Sequence, residues 1–467
     1  MLFNSPEFAL FLVAVLLLYW ALRHRVQARL WVLLVASYYF YACWDVRFLL
    51  LLFGITLVDW ALALALSRAR PGAWRAVACA AGIGLNLGLL GFWKYTDFVL
   101  DNLRVPLASL GVRVPASLGL VLPVGVSFFT FQGISYLVDV YRGDVAAERS
   151  LFRFALYKAF FPQLVAGPIV RARDIVAQFA APFRLSGRDF GAALELVLGG
   201  LVKKVVLADF LAANLVDRVF DFPERFSSLE VAAAVYGYGL QIYGDFSGYT
   251  DIAIGVARLF GFELRPNFRL PYQADGLQDF WRRWHISLSS WLRDYLYVPL
   301  GGSRHGSLRT VAALLATMLL GGLWHGARWS FVWWGALHGV GLALERVWRQ
   351  ARGERRLVPR PVRVLLTLHF VLGAWVLFRC QDLGAAGAVF GRILAFEPGV
   401  RNLPFAVVGL LALGWVACFL PERWRVRTAD LFARAPAVAQ AAAVVGVLYL
   451  LRHFAGSAPA PFIYFQF

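Results

Sequence analysis

Charge is scarce in this 467-residue chain: Asp, Glu, Lys and Arg together make up 16%, against 60% hydrophobic residues. So little polar cover excludes an ordinary soluble domain, and the mean hydropathy is strongly positive. Cysteine is nearly absent as well. Cys43, Cys79, Cys380 and Cys418 lie in or beside apolar stretches, without CxxC spacing and without a nearby histidine, so they read as packing residues rather than a zinc site. Gly-x-Ser-x-Gly is missing, which removes the nucleophile elbow of a serine hydrolase, and no phosphate-cradling Gly-rich loop occurs.

What the chain does have is a series of apolar stretches, at residues 8–22, 30–44, 76–93, 311–324, 329–344, 364–378, 402–420 and 435–451. Each is about as long as a bilayer core is thick. Residues 8–22 lack a basic leader and a small-residue cleavage site, so they read as a retained helix rather than a secretory signal. The expected architecture is an all-α polytopic membrane protein of about a dozen crossings, with re-entrant segments around a central funnel. The whole of 1–467 forms one membrane domain, with its catalytic core at about 122–345. The formal net charge of +18 sits in short loops, at residues 23–29, 68–75, 304–309, 346–363 and 423–434. That distribution argues for a membrane partner and against nucleic acid, and it places those loops in the cytoplasm and both termini outside. The loop at 346–363, with seven arginines and one acid, reads as a cytoplasmic anchor on anionic lipid. Residues 114–138, with Pro123, Gly125 and Gly133, and residues 281–302 look like broken segments, which survive at membrane depth only where protein or a water-filled cavity satisfies their backbone. No fixed-period repeat is present.

Against this background a few polar residues stand out. His325 follows Leu320-Gly321-Gly322-Leu323-Trp324 and precedes Gly326-Ala327, so one imidazole ends an apolar helix among residues small enough to admit other atoms. The charge rule makes the two helices on either side of it a hairpin whose turn points outward. A neutral imidazole there can take a proton from a hydroxyl, or it can serve packing alone. His285 lies in Phe280-Trp281-Arg282-Arg283-Trp284-His285-Ile286-Ser287, with Arg293 and Asp294 just beyond, at the cytoplasmic level. Its tryptophans and arginines suit a membrane interface or the phosphates of an acyl carrier. His338 is thirteen residues past His325, about 20 Å along a continuous helix, too far to share a metal. His24, His305, His369 and His453 show no ligand spacing, and no metal or bound cofactor is expected. Asp245 and Asp251 lie in an otherwise apolar run. Intramembrane acids need partners, and Arg258, Arg282 and Arg283 are the candidates, with Lys158, Lys203 and Lys204 snorkelling.

Several longer runs extend these single positions: Phe161-Pro162-Gln163-Leu164-Val165-Ala166-Gly167-Pro168-Ile169, residues 241–251, Asn267 with Pro271-Tyr272, residues 280–289, 291–302 and 321–327, and the closing Phe462-Ile463-Tyr464-Phe465-Gln466-Phe467. In order and in spacing the chain resembles the membrane-bound O-acyltransferase family, and within it a bacterial branch that O-acetylates polysaccharides. The resemblance runs through nearly the whole chain, with Gly244 and Arg328 as mild departures. It implies helices ringed around a constriction, a cytosolic acyl thioester donor such as acetyl-CoA, and an extracytoplasmic acceptor. It also implies a catalytic pair, His325 and His285. Trp324, Trp281, Arg282, Trp284, Asp245, Arg293 and Asp294 would bind the donor or hold the architecture. A separate extracytoplasmic partner of serine-hydrolase (SGNH) type, a polysaccharide acceptor and a bacterial inner-membrane location follow from the same resemblance. The alternatives are a D-alanyl transferase of the same fold, a polysaccharide transporter or channel, and an inactive scaffold.

Overall fold

The computed structural model describes the chain except residues 113, 114, 116, 166, 305, 353–357, 455, 457–459, 466 and 467, and the side chains of Arg352 and Phe465. His305, part of the arginine-rich loop and the last two residues of the closing motif therefore lie outside the described residues. The described residues are helical or irregular throughout, with no strand among them. They form two compact units, Met1–Ser186 with Val256–Arg265, and Gly187–Gly255 with Pro266–Phe467.

The first unit begins with the helices Pro6–Ala21, Val26–Ala42, Val46–Arg68, Ala73–Ala108 and Val126–Arg142. Two of these starts are capped by side chains: the Ser5 hydroxyl accepts the Phe8 N–H at 3.2 Å, and the Asp45 carboxylate accepts the Arg47 N–H at 2.8 Å. Gly125, not Gly133, makes the break expected in this region. Gly125 has φ +74°, and a Cβ there would sit 2.7 Å from the Leu164 carbonyl oxygen, so backbone conformation and space both demand glycine. Gly133 stays helical. A Cβ on it would run into Asp59 Oδ2, because Asp59, Asn86 and Lys158 meet beside it. Lys158 does not snorkel as expected. It is fully buried, 3.0 Å from Asp59, whose other oxygen accepts the Asn86 amide at 2.7 Å. An unpaired charge at this depth costs several kcal/mol, and the carboxylate and amide remove that cost.

The second unit contains His285 and His325. Gly187–Leu201 continues into π-helical turns at Val202–Asp209 and Ala212–Val216, and Ser228–Leu259 follows. The stretch expected to be broken is broken: Leu277–Arg283 and Ile286–Leu292 are separate short helices, with a π-helical turn at Arg293–Tyr297. Ser307–His325 and Trp329–Arg352 form the expected hairpin, and Arg360–Arg379, Leu383–Leu394, Phe405–Phe419, Glu422–Ala433 and Ala437–Phe454 complete the unit. Among the described residues of both units, five helices are long and apolar enough to span a bilayer, or six if the pair Phe405–Phe419 and Glu422–Ala433, bent by 98°, is counted as one span. The larger number read from sequence counted shorter and more polar helices too. On Ala437–Phe454 only 6% of the apolar window is buried against protein, as befits a helix that faces lipid.

Candidate active site

The hairpin positions His325. A Cβ on Gly322 would collide with the Phe331 carbonyl oxygen, and one on Gly335 with the Met318 carbonyl oxygen, so the two helix backbones touch where side chains would hold them apart. His325 is the last residue of Ser307–His325, and residues 326–328 turn the chain back. Its ring is 4% exposed and packs among aromatic rings, with centroids 5.0 Å from Trp324, 5.2 Å from Trp334, 5.2 Å from Phe378 and 5.5 Å from Tyr464.

His285 occupies the break between Leu277–Arg283 and Ile286–Leu292. Its backbone is left-handed (φ +42°), a conformation that costs a non-glycine residue about 1–2 kcal/mol. Asn267 holds it there. The Asn267 backbone carbonyl accepts the Ile286 N–H at 2.9 Å, and its side-chain oxygen accepts the Ser287 N–H at 3.0 Å and the Ser287 hydroxyl at 2.9 Å. The same oxygen lies 3.2 Å from His285 Nδ1. An atom that accepts a backbone N–H is the amide oxygen, so Nδ1 carries the proton and Nε2 the lone pair. Nε2 is buried and has no hydrogen-bond partner among the described residues. Trp324 and Tyr464 lie near both histidines, 6.2 Å and 6.4 Å from His285.

His338 joins the same cluster, and the continuous helix that was to keep it about 20 Å from His325 does not exist. The hairpin folds it back so that Trp334 contacts both rings, 5.2 Å from His325 and 4.8 Å from His338. The Trp281 indole donates to His338 Nδ1 at 3.3 Å. No three His, Cys, Asp or Glu side chains gather as metal ligands among the described residues.

Trp281 also lines a cavity of about 580 Å³ together with Arg282, Ser289, Arg293, Thr317 and Arg346. Arg293 is held by Asp294 at 2.7 Å, and Arg349, on the same wall, by Glu345. Arg346 Nε has no hydrogen-bond partner among the described residues. Cationic, largely apolar and bordered by an indole, this cavity suits an anionic ligand with a hydrophobic end. Trp284 is not part of it. It is 1% exposed and packs on Phe280, Phe268 and Trp375.

The two intramembrane acids pair with lysines, not with the expected arginines. Lys204 lies 2.5 Å from Asp245 and 2.7 Å from Asp209, and Lys203 pairs with Asp251. Arg283 is taken by Asp279 at 3.0 Å, and Arg282 faces the cavity. The cause is close helix packing. A Cβ on Gly200 would lie 2.6 Å from the Gly248 carbonyl oxygen, and one on Gly248 2.7 Å from that of Gly200, so the lysine-bearing turns press against Ser228–Leu259. At that distance the lysines reach the acids without snorkelling.

Fold and site together define a multi-pass all-α membrane protein with a buried, histidine-centred cluster beside a cationic cavity. The family model described as MBOAT, membrane-bound O-acyltransferase family, matches residues 145–381, which include Lys204, Asp245, His285, His325 and His338. The chain is 40% identical over 402 residues to the probable alginate O-acetylase AlgI of Pseudomonas putida, covering 85% of this chain and 81% of that protein. It is 37% identical over 418 residues to the peptidoglycan O-acetyltransferase of Helicobacter pylori, covering 83% and 78%. A teichoic acid D-alanyltransferase of Streptococcus thermophilus is 26% identical over 277 residues, covering 54% and 64%. The chain belongs to the membrane-bound O-acyltransferase family and is a membrane O-acyltransferase.

Proposed function

We propose that this protein takes an acetyl group from a cytosolic thioester, acetyl-CoA, and delivers it across a bacterial inner membrane to an extracytoplasmic hydroxyl for polysaccharide O-acetylation. The observation that carries this reading is the convergence of the two motif histidines on Trp324 and Tyr464. In this reading the arginine-lined cavity receives the phosphates of the donor, with Trp281 at its apolar end. His285, held by Asn267, offers its Nε2 lone pair to an N–H of the donor's amide arm and so orients the donor. His325 takes the proton from the attacking hydroxyl, the oxygen bonds to the acetyl carbon, the C–S bond breaks, and the thiolate leaves and is protonated. The acceptor hydroxyl belongs to the polysaccharide or to a secreted partner of serine-hydrolase type. Similarity to proteins named for alginate and peptidoglycan O-acetylation supports the acetyl branch. We place both termini and the His325 turn outside, and the arginine-rich loops at 304–309 and 346–363 in the cytoplasm, from the distribution of basic residues.

The test is direct. Purified protein in proteoliposomes is given acetyl-CoA or an aminoacylated carrier protein, and consumption of each is followed. The expected result is acetyl-CoA consumption that His325→Ala reduces by about a thousandfold or more, as removal of a general base does. Consumption of the aminoacyl carrier alone would instead favour D-alanyl transfer, and acetylation in cells that survives His325→Ala would leave a scaffold.

A further inference from the structure

The C-terminal segment enters the site without belonging to any long helix. A short segment outside long helices needs specific ties to hold one conformation, and here the ties are charged. The Ile463 N–H donates to Asp245 Oδ2 at 2.9 Å, and Lys204, already bonded to Asp245 and Asp209, donates to the Pro461 carbonyl at 3.1 Å. Phe462 and Ile463 are buried, at 0% and 4% exposure. The Phe462 ring lies 4.6 Å from Tyr249 and 5.4 Å from Phe246, and the Tyr464 ring lies 4.7 Å from Phe246 and 5.5 Å from His325. A backbone donor and a backbone acceptor two residues apart are thus gripped by one ion pair, immediately before the side chain that packs on the histidine.

Resting on the assignment of acyl transfer to His325, we propose that Asp245 and Lys204 are positioning residues that act on His325 through this segment: the ion pair clamps residues 461–463, and the clamp sets the Tyr464 ring against the imidazole. Charge-assisted bonds suit this role, because they are the strong ones and gain strength where water is excluded. An ion pair that only stabilised the helices would have no need of the two backbone groups. Here the carboxylate divides its oxygens, Oδ1 to Lys204 and Oδ2 to the segment. The clamp's loss leaves the donor cavity intact, since none of its lining residues belongs to the segment.

The test uses full-length protein with two readouts. In a Cys43→Ser background, Ile463→Cys reports on the segment by its rate of maleimide labelling, while Cys79, Cys380 and Cys418 are buried. Without that reporter, kcat and KM for acetyl-CoA are measured. Asp245→Ala is expected to lower kcat about 10- to 100-fold, the range supplied by a hydrogen bond to a charged group, to leave KM within about twofold, and to speed labelling at least tenfold. Asp245→Asn, which keeps an acceptor for the Ile463 N–H but loses the ion pair to Lys204, restores part of both. Lys204→Met follows Asp245→Ala, and these last two variants decide the matter if Asp245→Ala does not elute as folded protein. Full activity in folded Asp245→Ala, or lost activity while the introduced thiol stays protected, overturns the proposal. If the wild type consumes no acetyl-CoA, the acyl-donor reading fails, whereas the labelling rates still report whether the clamp exists.

Discussion

At the scale of single residues, the decisive contrast is between His325, which stands out in the sequence, and Asn267, which does not. Trp324-His325-Gly326 declares itself because an imidazole among glycines at the end of an apolar run has few neighbours to explain it. Asn267 was visible only as part of a familiar motif, and its work depends on a chain reversal that brings residues 285–287 onto it. Removing its side chain leaves the Ser287 N–H and His285 Nδ1–H without their acceptor, at a cost of about 1–3 kcal/mol for each buried group. Asn267→Ala is therefore expected to reduce acetyl-CoA turnover by about tenfold or more and to lower the melting temperature in detergent; wild-type turnover would show that His285 needs no such support. Lys204 was expected only to snorkel, and His338 and Tyr464 were assigned no role from sequence. The bonds that tie Lys204 and the segment before Tyr464 span long separations, 218 residues for Asp245–Ile463 and 257 for Lys204–Pro461, which no local pattern encodes.

Elements tell a different story, in which glycine placement decides how close two helices come. The hairpin of Ser307–His325 and Trp329–Arg352 was expected from loop charge, and the run of glycines before His325 hinted at close approach. Which backbone atoms meet was not legible. On an isolated helix, Gly→Ala gains about 1 kcal/mol. At Gly322 the added methyl meets the Phe331 carbonyl oxygen, which cannot swing aside as a side chain does. Gly322→Ala is expected to destabilise by about 1–3 kcal/mol, whereas Gly84→Ala, with nothing within 4 Å of its Cβ, is expected to be neutral or stabilising. Thermal unfolding of the two variants in the same detergent checks the opposite signs. The paired acids belong to this scale as well. The choice of arginine as partner followed from sequence neighbourhood, but π-helical turns and the Gly200–Gly248 contact set the register that delivers lysine.

For the whole molecule, the proposed two-sided reaction requires one threading of the chain. From the distribution of arginines we infer that residue 303 lies inside and residue 382 outside. In spheroplasts, an impermeant maleimide is expected to label Asp382→Cys but not Ser303→Cys until the membrane is opened. The reverse pattern would put the hairpin turn, and with it His325, on the cytoplasmic side and remove the two-sided reaction. By itself the sequence determined the class, an all-α chain within a bilayer. Hydrophobic burial and the cost of an unpaired backbone in lipid leave few alternatives to a charge-poor chain of this length. It also pointed to His325, because a polar residue in an apolar run is conspicuous, whereas His285 gained a catalytic role only through the family resemblance. Tertiary structure alone decided which charges neutralise one another, which amide fixes an imidazole's proton, and that residues 461–464 return to the histidine cluster. Those outcomes depend on interatomic distances of about 3 Å between residues far apart in the chain, and such distances exist only after the helices have packed.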